Sequence, residues 1–198
     1  MDRAEMIALI RGGVAAPGGT WADLGAGTGN FTWALRELLG PQGTIYAVDR
    51  DGRAIRRQRE MLDQAQPGAA VHLLQADFTR PLDLPALDGV LMANALHFVR
   101  DQAAALALIG AYLRPGGRLV LVEYDLGAAV PWVPFPVAFE RFSSLALGAG
   151  LSTPTPIGMR RSPSSGIVMY AALALRPVAQ GDDRQGISFQ LSVPTTEN

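Results

Sequence analysis

Cysteine is absent from this chain of 198 residues. That excludes disulfides, thiolate zinc sites and cysteine nucleophiles together, and it is compatible with the cytosol. Lysine is absent too: all 17 basic residues are arginine. Schiff-base chemistry, a pyridoxal-phosphate anchor and a P-loop lysine are therefore excluded. A GC-rich genome is the plain account of the arginine bias. The only histidines are His72 and His97, so a centre built on several imidazoles is excluded. No clustering of carboxylates replaces it, and no metal is expected. Neither sign of charge dominates. A net charge of −1 gives no electrostatic case for nucleic acid or for an anionic membrane. Long apolar runs are missing as well. The most apolar stretch, AAALALIGAYL from Ala103 to Leu113, is too short to span a bilayer and reads as a buried helix. The opening MDRAEMIALIRGG lacks the basic-then-apolar order of a secretory signal. These absences lead to the expectation of a soluble cytoplasmic protein with no membrane span and no nucleic-acid partner.

What is present is an alternation of strands and helices. TWADLG is a short apolar run that ends in glycine. TGNFTWALRELLG follows with Phe31, Ala34, Leu35 and Leu38 at helical spacing, stopped by Gly40 and Pro41. GTIYAVD, AAVHLLQAD, LDGVLMAN and GGRLVLVEYD read as further strands, with His72 structural inside the second of them. Between them, DGRAIRRQREMLDQA and DQAAALALIGAYL read as helices. Arginines 53, 56, 57 and 59 of the former are interleaved with acids and suit a solvated face. The unbroken apolar runs Val90-Leu91-Met92 and Leu119 to Val122 fit parallel strands buried on both faces. Alternation at these lengths predicts right-handed crossovers and a doubly wound α/β sheet. Beyond Asp125 the pattern changes. AAVPWVPFP is too proline-rich for a central strand, and VAFERFSSLALGAG is an amphipathic helix. Segments near Thr153 to Arg161 and Gly166 to Leu175 flank SPSSG as an antiparallel hairpin. We expect one domain over residues 1–176 and a polar tail over 177–198, in which ISFQLSV alternates as an edge strand would but reads better as a loosely held terminus.

The most informative stretch is WADLGAGTGN, Trp21 to Asn30. Glycines at 25, 27 and 29 let the chain turn sharply between a strand and a helix, and they let a ligand approach bare main chain. The helix that follows points free N–H groups at such a ligand. The next strand ends in Asp49, twenty positions after Gly29, where an acid can accept both hydroxyls of a ribose. The third ends in Asp77 and Phe78, an acid for an exocyclic amine and a ring for one face of an adenine. These features fall on the edge where open α/β sheets bind ligands, and they predict an adenosine derivative. The turn is GxGxG with Asp23 two positions ahead, not GxGxxG. An acid there repels a pyrophosphate and attracts an ammonium. An adenosine carrying ammonium, carboxylate and sulfonium is S-adenosylmethionine. Each residue also has a plainer role open to it. Asp49 could cap the next helix, Asp77 could cap a turn before Pro81, Phe78 could be core, and Asn94 could bond locally in a turn. Asp23, buried in an apolar strand, needs a partner in either case.

On DLGAGTGNFT, AVD ending at Asp49, QADF at Gln75 to Phe78, DGVLMANALHFV from Asp88 and LRPGGRLVLVEYD from Leu113, the chain resembles the class I S-adenosylmethionine-dependent methyltransferases. The resemblance is strongest to the small bacterial, ubiquinone-methyltransferase-like type. It implies a Rossmann-like, mostly parallel seven-stranded sheet in the order 3-2-1-4-5-7-6, with the last hairpin antiparallel. It implies that Asp23, Gly25, Ala26 and Gly27 surround the methionine part of the cosubstrate. Asp49 would bind the ribose and Arg50 would lie near the adenine. Asp77 and Phe78 would hold the adenine edge, while Asn94 and Ala95 touch the methionine end through their main chain. S-adenosylhomocysteine would be the product. Family members usually carry a longer N-terminal segment over the substrate, and here fewer than twenty residues precede the first strand. The lid is then expected from MIALIRGG, from VPWVPFP or from a partner chain in a homodimer. An open site suits a bulky or apolar small-molecule acceptor, with Trp132 and Phe135 as contacts or as packing under the last helix.

Methyl transfer from a sulfonium needs alignment and exclusion of water, and a base only where the nucleophile must lose a proton. No catalytic residue is demanded. His97 and Tyr124 are the candidates for a base, and His97 is better suited to a loop or helix-capping role. Strand alternation puts Glu123 and Tyr124 on opposite faces. Arg160 and Arg161 could meet an anionic substrate or simply charge a hairpin edge. Two other readings stand beside the methyltransferase. One is a cofactor-binding accessory protein or a methyltransferase-like protein without activity. The other is a nicotinamide-dependent oxidoreductase, which lacks support from a Tyr-x-x-x-Lys pair or a second domain.

Overall fold

Valine, leucine and methionine run without a polar break through Val90–Met92 and Leu119–Val122, and each of those side chains is fully buried. The structure is a computed structural model that describes residues 1–162 and 165–178. Its strands are β1 Gly19–Leu24, β2 Gly43–Asp49, β3 Ala70–Gln75, β4 Leu87–Ala93, β5 Leu113–Tyr124, β6 Thr155–Arg161 and β7 Val168–Leu175. They form one seven-stranded sheet in the order β3-β2-β1-β4-β5-β7-β6. β1 to β5 pair in parallel, and β7 runs antiparallel to both β5 and β6. The doubly wound sheet and its antiparallel end are as the sequence and the family resemblance predict.

Five helices cover the sheet: α1 Arg3–Ile10, α2 Asn30–Leu39, α3 Gly52–Leu62, α4 Gln102–Tyr112 and α5 Phe139–Gly148. The strand period of two separates two cores. Leu24, Val90, Met92, Leu119 and Leu121 face one side with Leu106, Ile109 and Phe142 of α4 and α5. Trp21, Leu91, Val120 and Val122 face the other with Ile7, Ile10, Leu35 and Leu39 of α1 and α2. This is why the central strands read as unbroken apolar runs: there is no solvent side for a polar residue to occupy. Leu39 is buried on the inner face of α2 and Leu38 only half-buried. The four arginines of α3 are exposed, while Ala54, Ile55 and Gln58 are buried.

α1 is a compact local unit. Asp2 and Glu5 form a reciprocal capping box, with bonds of 2.9 and 2.8 Å. Glu5 also pairs with Arg160 of β6 at 2.8 Å. The hydrogen bond from Arg160 holds the Glu5 carboxyl down at about 2. Arg160 is thus an edge-strand partner of α1. His72 is exposed on β3 and stacks on Tyr46, with ring centroids 5.0 Å apart. AAVPWVPFP forms a loop with an isolated bridge between Val130 and Val133. No helix among the described residues is long and apolar enough to cross a membrane. The tail segment ISFQLSV lies outside the described residues.

Close packing between β1 and β4 gives a direct test of the sheet. Gly89 pairs with Trp21, and a Cβ on Gly89 would lie 2.5 Å from three atoms of the indole. Gly89→Ala is expected to lower the free energy of unfolding by about 1–3 kcal/mol through overpacking, measured by urea denaturation. Unchanged stability would show that the indole has room to move.

Candidate functional site

The carboxyl ends of β1, β2 and β4 converge on a cavity of ≈ 940 Å³, within the range of small-molecule sites. Ten residues singled out from the sequence as contacts line it together: Asp23, Gly25, Ala26, Gly27, Asp49, Arg50, Asp77, Phe78, Asn94 and Ala95. Met1, Met6 of α1 and Phe31 of α2 join the wall, as do Phe98 and Val99. Of the expected lid segments, α1 therefore reaches the cavity. Trp132 and Phe135 are exposed and are not among the lining residues.

The glycine turn is held rigidly by main-chain bonds. Gly25 and Ala26 both donate their N–H to Val48 O, at 2.9 and 3.0 Å. The Gly27 N–H goes to Asp49 Oδ2 at 2.7 Å, and its carbonyl accepts from Gln58 Nε2 at 2.7 Å. Gly25 has φ +75°, and a Cβ there would sit 2.4 Å from the Cβ of Ala95. Gly27 differs. Its φ is +54° and a Cβ would meet nothing within 4 Å, so its main chain is open to the cavity. The N–H groups of Gly25, Ala26, Gly27 and Gly29 are spent within the protein. Thr28 and the first residues of α2, Asn30 and Phe31, also line the cavity, and the first N–H groups of a helix have no intrahelical acceptor.

Each strand-end acid is already bound on one side. Asp49 takes Gly27 N–H on Oδ2 and Asp51 N–H on Oδ1, the latter at 2.8 Å. Each oxygen keeps a second lone pair. Asp77 Oδ1 accepts from the N–H and hydroxyl of Thr79, at 2.9 and 2.7 Å. These two bonds push the Asp77 carboxyl below its ordinary value, and they leave Oδ2 outside the turn. Asp23 is buried, and its Oδ2 accepts from Thr32 Oγ1 at 2.6 Å. Burial pushes its carboxyl up to about 7 against the Thr32 bond, and the Asp49 charge raises it further.

His97 and Tyr124 lie elsewhere. Neither is among the residues lining the cavity. His97 is buried, with Nδ1 2.6 Å from Glu123 Oε2, and Glu123 Oε1 accepts the N–H groups of Leu96 and His97 at 2.9 and 3.1 Å. Glu123, wholly buried on β5, thus clamps the loop that follows β4. Tyr124 is half-buried on the opposite face, its ring 6.1 Å from that of His97.

Three supporting residues escaped the reading of the sequence: Gln58, Thr32 and Glu123 in its clamping role. Gln58 and Thr32 did leave a signal, a polar residue on a face otherwise turned inward. Gln58 lies three positions after buried Ile55, and Thr32 three before buried Leu35.

Residues 22–119, about half of the chain, match the model of a methyltransferase domain. Over 105 residues the chain is 34% identical to the ubiquinone/menaquinone biosynthesis C-methyltransferase UbiE of Pasteurella multocida, covering 52% of this chain and 39% of that protein. The chain spans about two fifths to three fifths of the length of the curated relatives it matches. Among solved structures, the YcgJ protein of Bacillus subtilis superposes with a TM-score of 0.70 at 11% identity, covering 88% of this chain and 99% of that one. A Burkholderia thailandensis 1,6-didemethyltoxoflavin-N1-methyltransferase, solved with its substrate and S-adenosylhomocysteine, superposes at 0.69 with 19% identity, covering 88% and 78%. These likenesses reach the fold.

Asp23 gives the free protein a definite pH response. Its carboxyl is raised from 3.8 in the ordinary case to about 7 in the folded state. The folded protein therefore holds a proton that the unfolded chain releases, and the group's contribution to stability falls as pH rises from about 4 to about 7. The loss is on the order of 4 kcal/mol. Asp23→Asn keeps an oxygen for Thr32 and removes the titration. Its unfolding free energy is expected to gain on the parent protein across that pH range, read by denaturant titration at several pH values. A constant difference between the two proteins would contradict the burial argument.

Proposed function

The chain carries a methyltransferase domain of class I, the S-adenosylmethionine-dependent type, and on that premise we propose that it moves a methyl group from S-adenosylmethionine to a small-molecule acceptor by in-line displacement. The observation that carries the reading is the shared cavity. It gathers a glycine turn, three strand-end acids and an aromatic ring at one sheet edge.

The residues present fit that cosubstrate. Main chain at Gly27 is open where a Cβ would otherwise project. Asp23, buried with one bond from Thr32, and Asn94, whose Oδ1 has no partner, both line the cavity. In this reading Asp23 holds the ammonium, and the N-terminus of α2 receives the carboxylate. Asp49 offers its remaining lone pairs to the ribose hydroxyls. Arg50 lies beside the adenine, Asp77 Oδ2 takes the exocyclic amine and Phe78 covers a ring face. Ala95 and the main chain of Asn94 border the methionine end. Asp23 meets the cation as a carboxylate, so binding near neutral pH is coupled to loss of its proton.

When bound, S-adenosylmethionine supplies a methyl carbon already activated by a sulfonium. The work left to the chain is alignment and exclusion of water. Met1, Met6 and Phe31 wall one part of the cavity and Phe98 and Val99 another. These side chains suit a bulky, apolar acceptor. Because α1 of the same chain supplies part of this wall, that part is complete without a second copy. His97, paired to Glu123 and set back from the cavity, positions the loop after β4 and is given no proton-transfer role.

Calorimetric titration with S-adenosylhomocysteine and NADH tests the reading. We expect S-adenosylhomocysteine to bind and NADH not to. Asp49→Ala should weaken S-adenosylhomocysteine by about tenfold or more through loss of charged hydrogen bonds, with the fold intact by circular dichroism. A protein indifferent to S-adenosylhomocysteine at millimolar concentration would end the proposal. Binding without turnover across a broad acceptor panel would favour the accessory-protein reading.

A further inference from the structure

Gln58 is a buried amide on a helix face that otherwise turns apolar side chains inward. Its buried neighbours on α3 are Ala54 and Ile55, whereas Arg56, Arg57, Arg59 and Glu60 around it are exposed. A leucine or methionine would fill this place with no amide to desolvate. The amide is used at one point. Nε2 donates to Gly27 O at 2.7 Å. The side chain also lies against Gly29, where a Cβ would come within 2.9 Å of Gln58 Cδ. The glycine turn thus leaves room for this side chain to reach a carbonyl from α3. Gln58 itself is not among the residues that line the cavity.

The effect of that bond reaches the cavity through a single peptide unit. The carbonyl of Gly27 and the N–H of Thr28 belong to one trans peptide, and they point in opposite directions. With the carbonyl held by α3, the Thr28 N–H is turned away from α3. Thr28 lines the cavity, and its N–H has no acceptor among the described residues. Gly27 carries no Cβ and its surroundings are open, so this peptide is free to rotate unless it is tied. Rotated by half a turn, it would present its carbonyl where its N–H now stands, and a carbonyl repels an anion. The Asp49 bond holds the preceding peptide, through the Gly27 N–H, and leaves this rotation open. Among the described residues, Gln58 is the one partner of the Gly27 carbonyl.

We propose that Gln58 is a positioning residue. Without touching the ligand, it fixes the Gly27–Thr28 peptide with its N–H free for the cavity, and so governs how tightly the site holds a cosubstrate with an anionic end. The proposal rests on the proposed function and extends the binding machinery to a side chain of α3 outside the cavity.

Two nucleosides test it: S-adenosylhomocysteine, and 5′-methylthioadenosine, which keeps the adenosine and sulfur but has no amino-acid end. Each is titrated calorimetrically into the parent protein, Gln58→Met and Gln58→Glu. Methionine keeps the length of the side chain without the donor, and glutamate keeps its shape with an acceptor in the donor's place. Both variants are expected to bind S-adenosylhomocysteine about tenfold or more weakly than the parent, and 5′-methylthioadenosine within about twofold of it. Full S-adenosylhomocysteine affinity in Gln58→Met would overturn the proposal. An equal loss for both nucleosides would overturn it too, by making Gln58 a residue that merely supports the fold. The parent protein supplies a measurement that does not depend on the variants folding. In its amide nuclear magnetic resonance spectrum, the Thr28 N–H is expected to shift with S-adenosylhomocysteine and much less with 5′-methylthioadenosine. A Thr28 signal that answers both alike would also sink the proposal. A parent protein that binds neither nucleoside is a different failure, that of the cosubstrate reading itself.

Discussion

The Gly27 peptide is the point on which the site depends. Its N–H is fixed by a carboxylate at the end of β2 and its carbonyl by an amide on α3. Both partners lie far away in sequence, so a turn with little stiffness of its own is held by tertiary structure. Glycine is costly to order, and here that cost is offset by bonds to one charged and one buried side chain. Val48 adds two more bonds through its carbonyl. Asp49 therefore serves the scaffold and the ligand edge together. Any rearrangement of the turn is felt at the end of β2, and any ligand that engages Asp49 acts on a group already supporting the turn.

A second regularity follows from the sheet. Its interior is apolar on both faces, and the buried polar side chains Asp23, Glu123 and His97 gather at or just past the carboxyl ends of β1, β4 and β5. They differ in how well they are satisfied. Glu123 has three bonds, which makes it a clamp. Asp23 has one from Thr32 and a carboxyl pushed upward by burial. Asn94 has none at its oxygen. The better-satisfied groups hold loops in place, and the worse-satisfied ones line the cavity. Buried polar groups without partners are expected to be scarce in a native structure. Among the described residues the one such side-chain atom is Asn94 Oδ1, on a residue that lines the cavity.

Much of this was legible in the sequence, for physical reasons that also explain the rest. The unbroken run at Val90–Met92 forces burial on both faces, so a parallel central strand was readable there. Asp49 ends β2 and Asp77 follows the end of β3 by two residues, one crossover apart, so their arrival at a common edge was readable too. The order of strands beyond β5 rested on the family resemblance, because alternation cannot say which edge a terminal hairpin joins. Pairings across distance were not legible. No local pattern ties Gln58 to Gly27 or Glu123 to His97, since 31 and 26 residues separate them. The candidate base His97 shows the limit well. Its chain position just past β4 sets it between residues that line the cavity, but it does not line the cavity itself, and its ring turns to a carboxylate one strand away.

That turn bears on how the site achieves alignment. Were His97 free in the cavity, the loop after β4 would keep only its main-chain bonds to Glu123 and Val122. With the imidazole bound to Glu123, the same loop is fixed at three points on a stretch of strand that is fully buried from Leu119 to Glu123. A displacement at an activated methyl gains more from fixed geometry than from a proton acceptor. The molecule spends its one buried histidine on position, and the sequence neighbours of that histidine, Phe98 and Val99, are left to shape the wall against which an acceptor would rest.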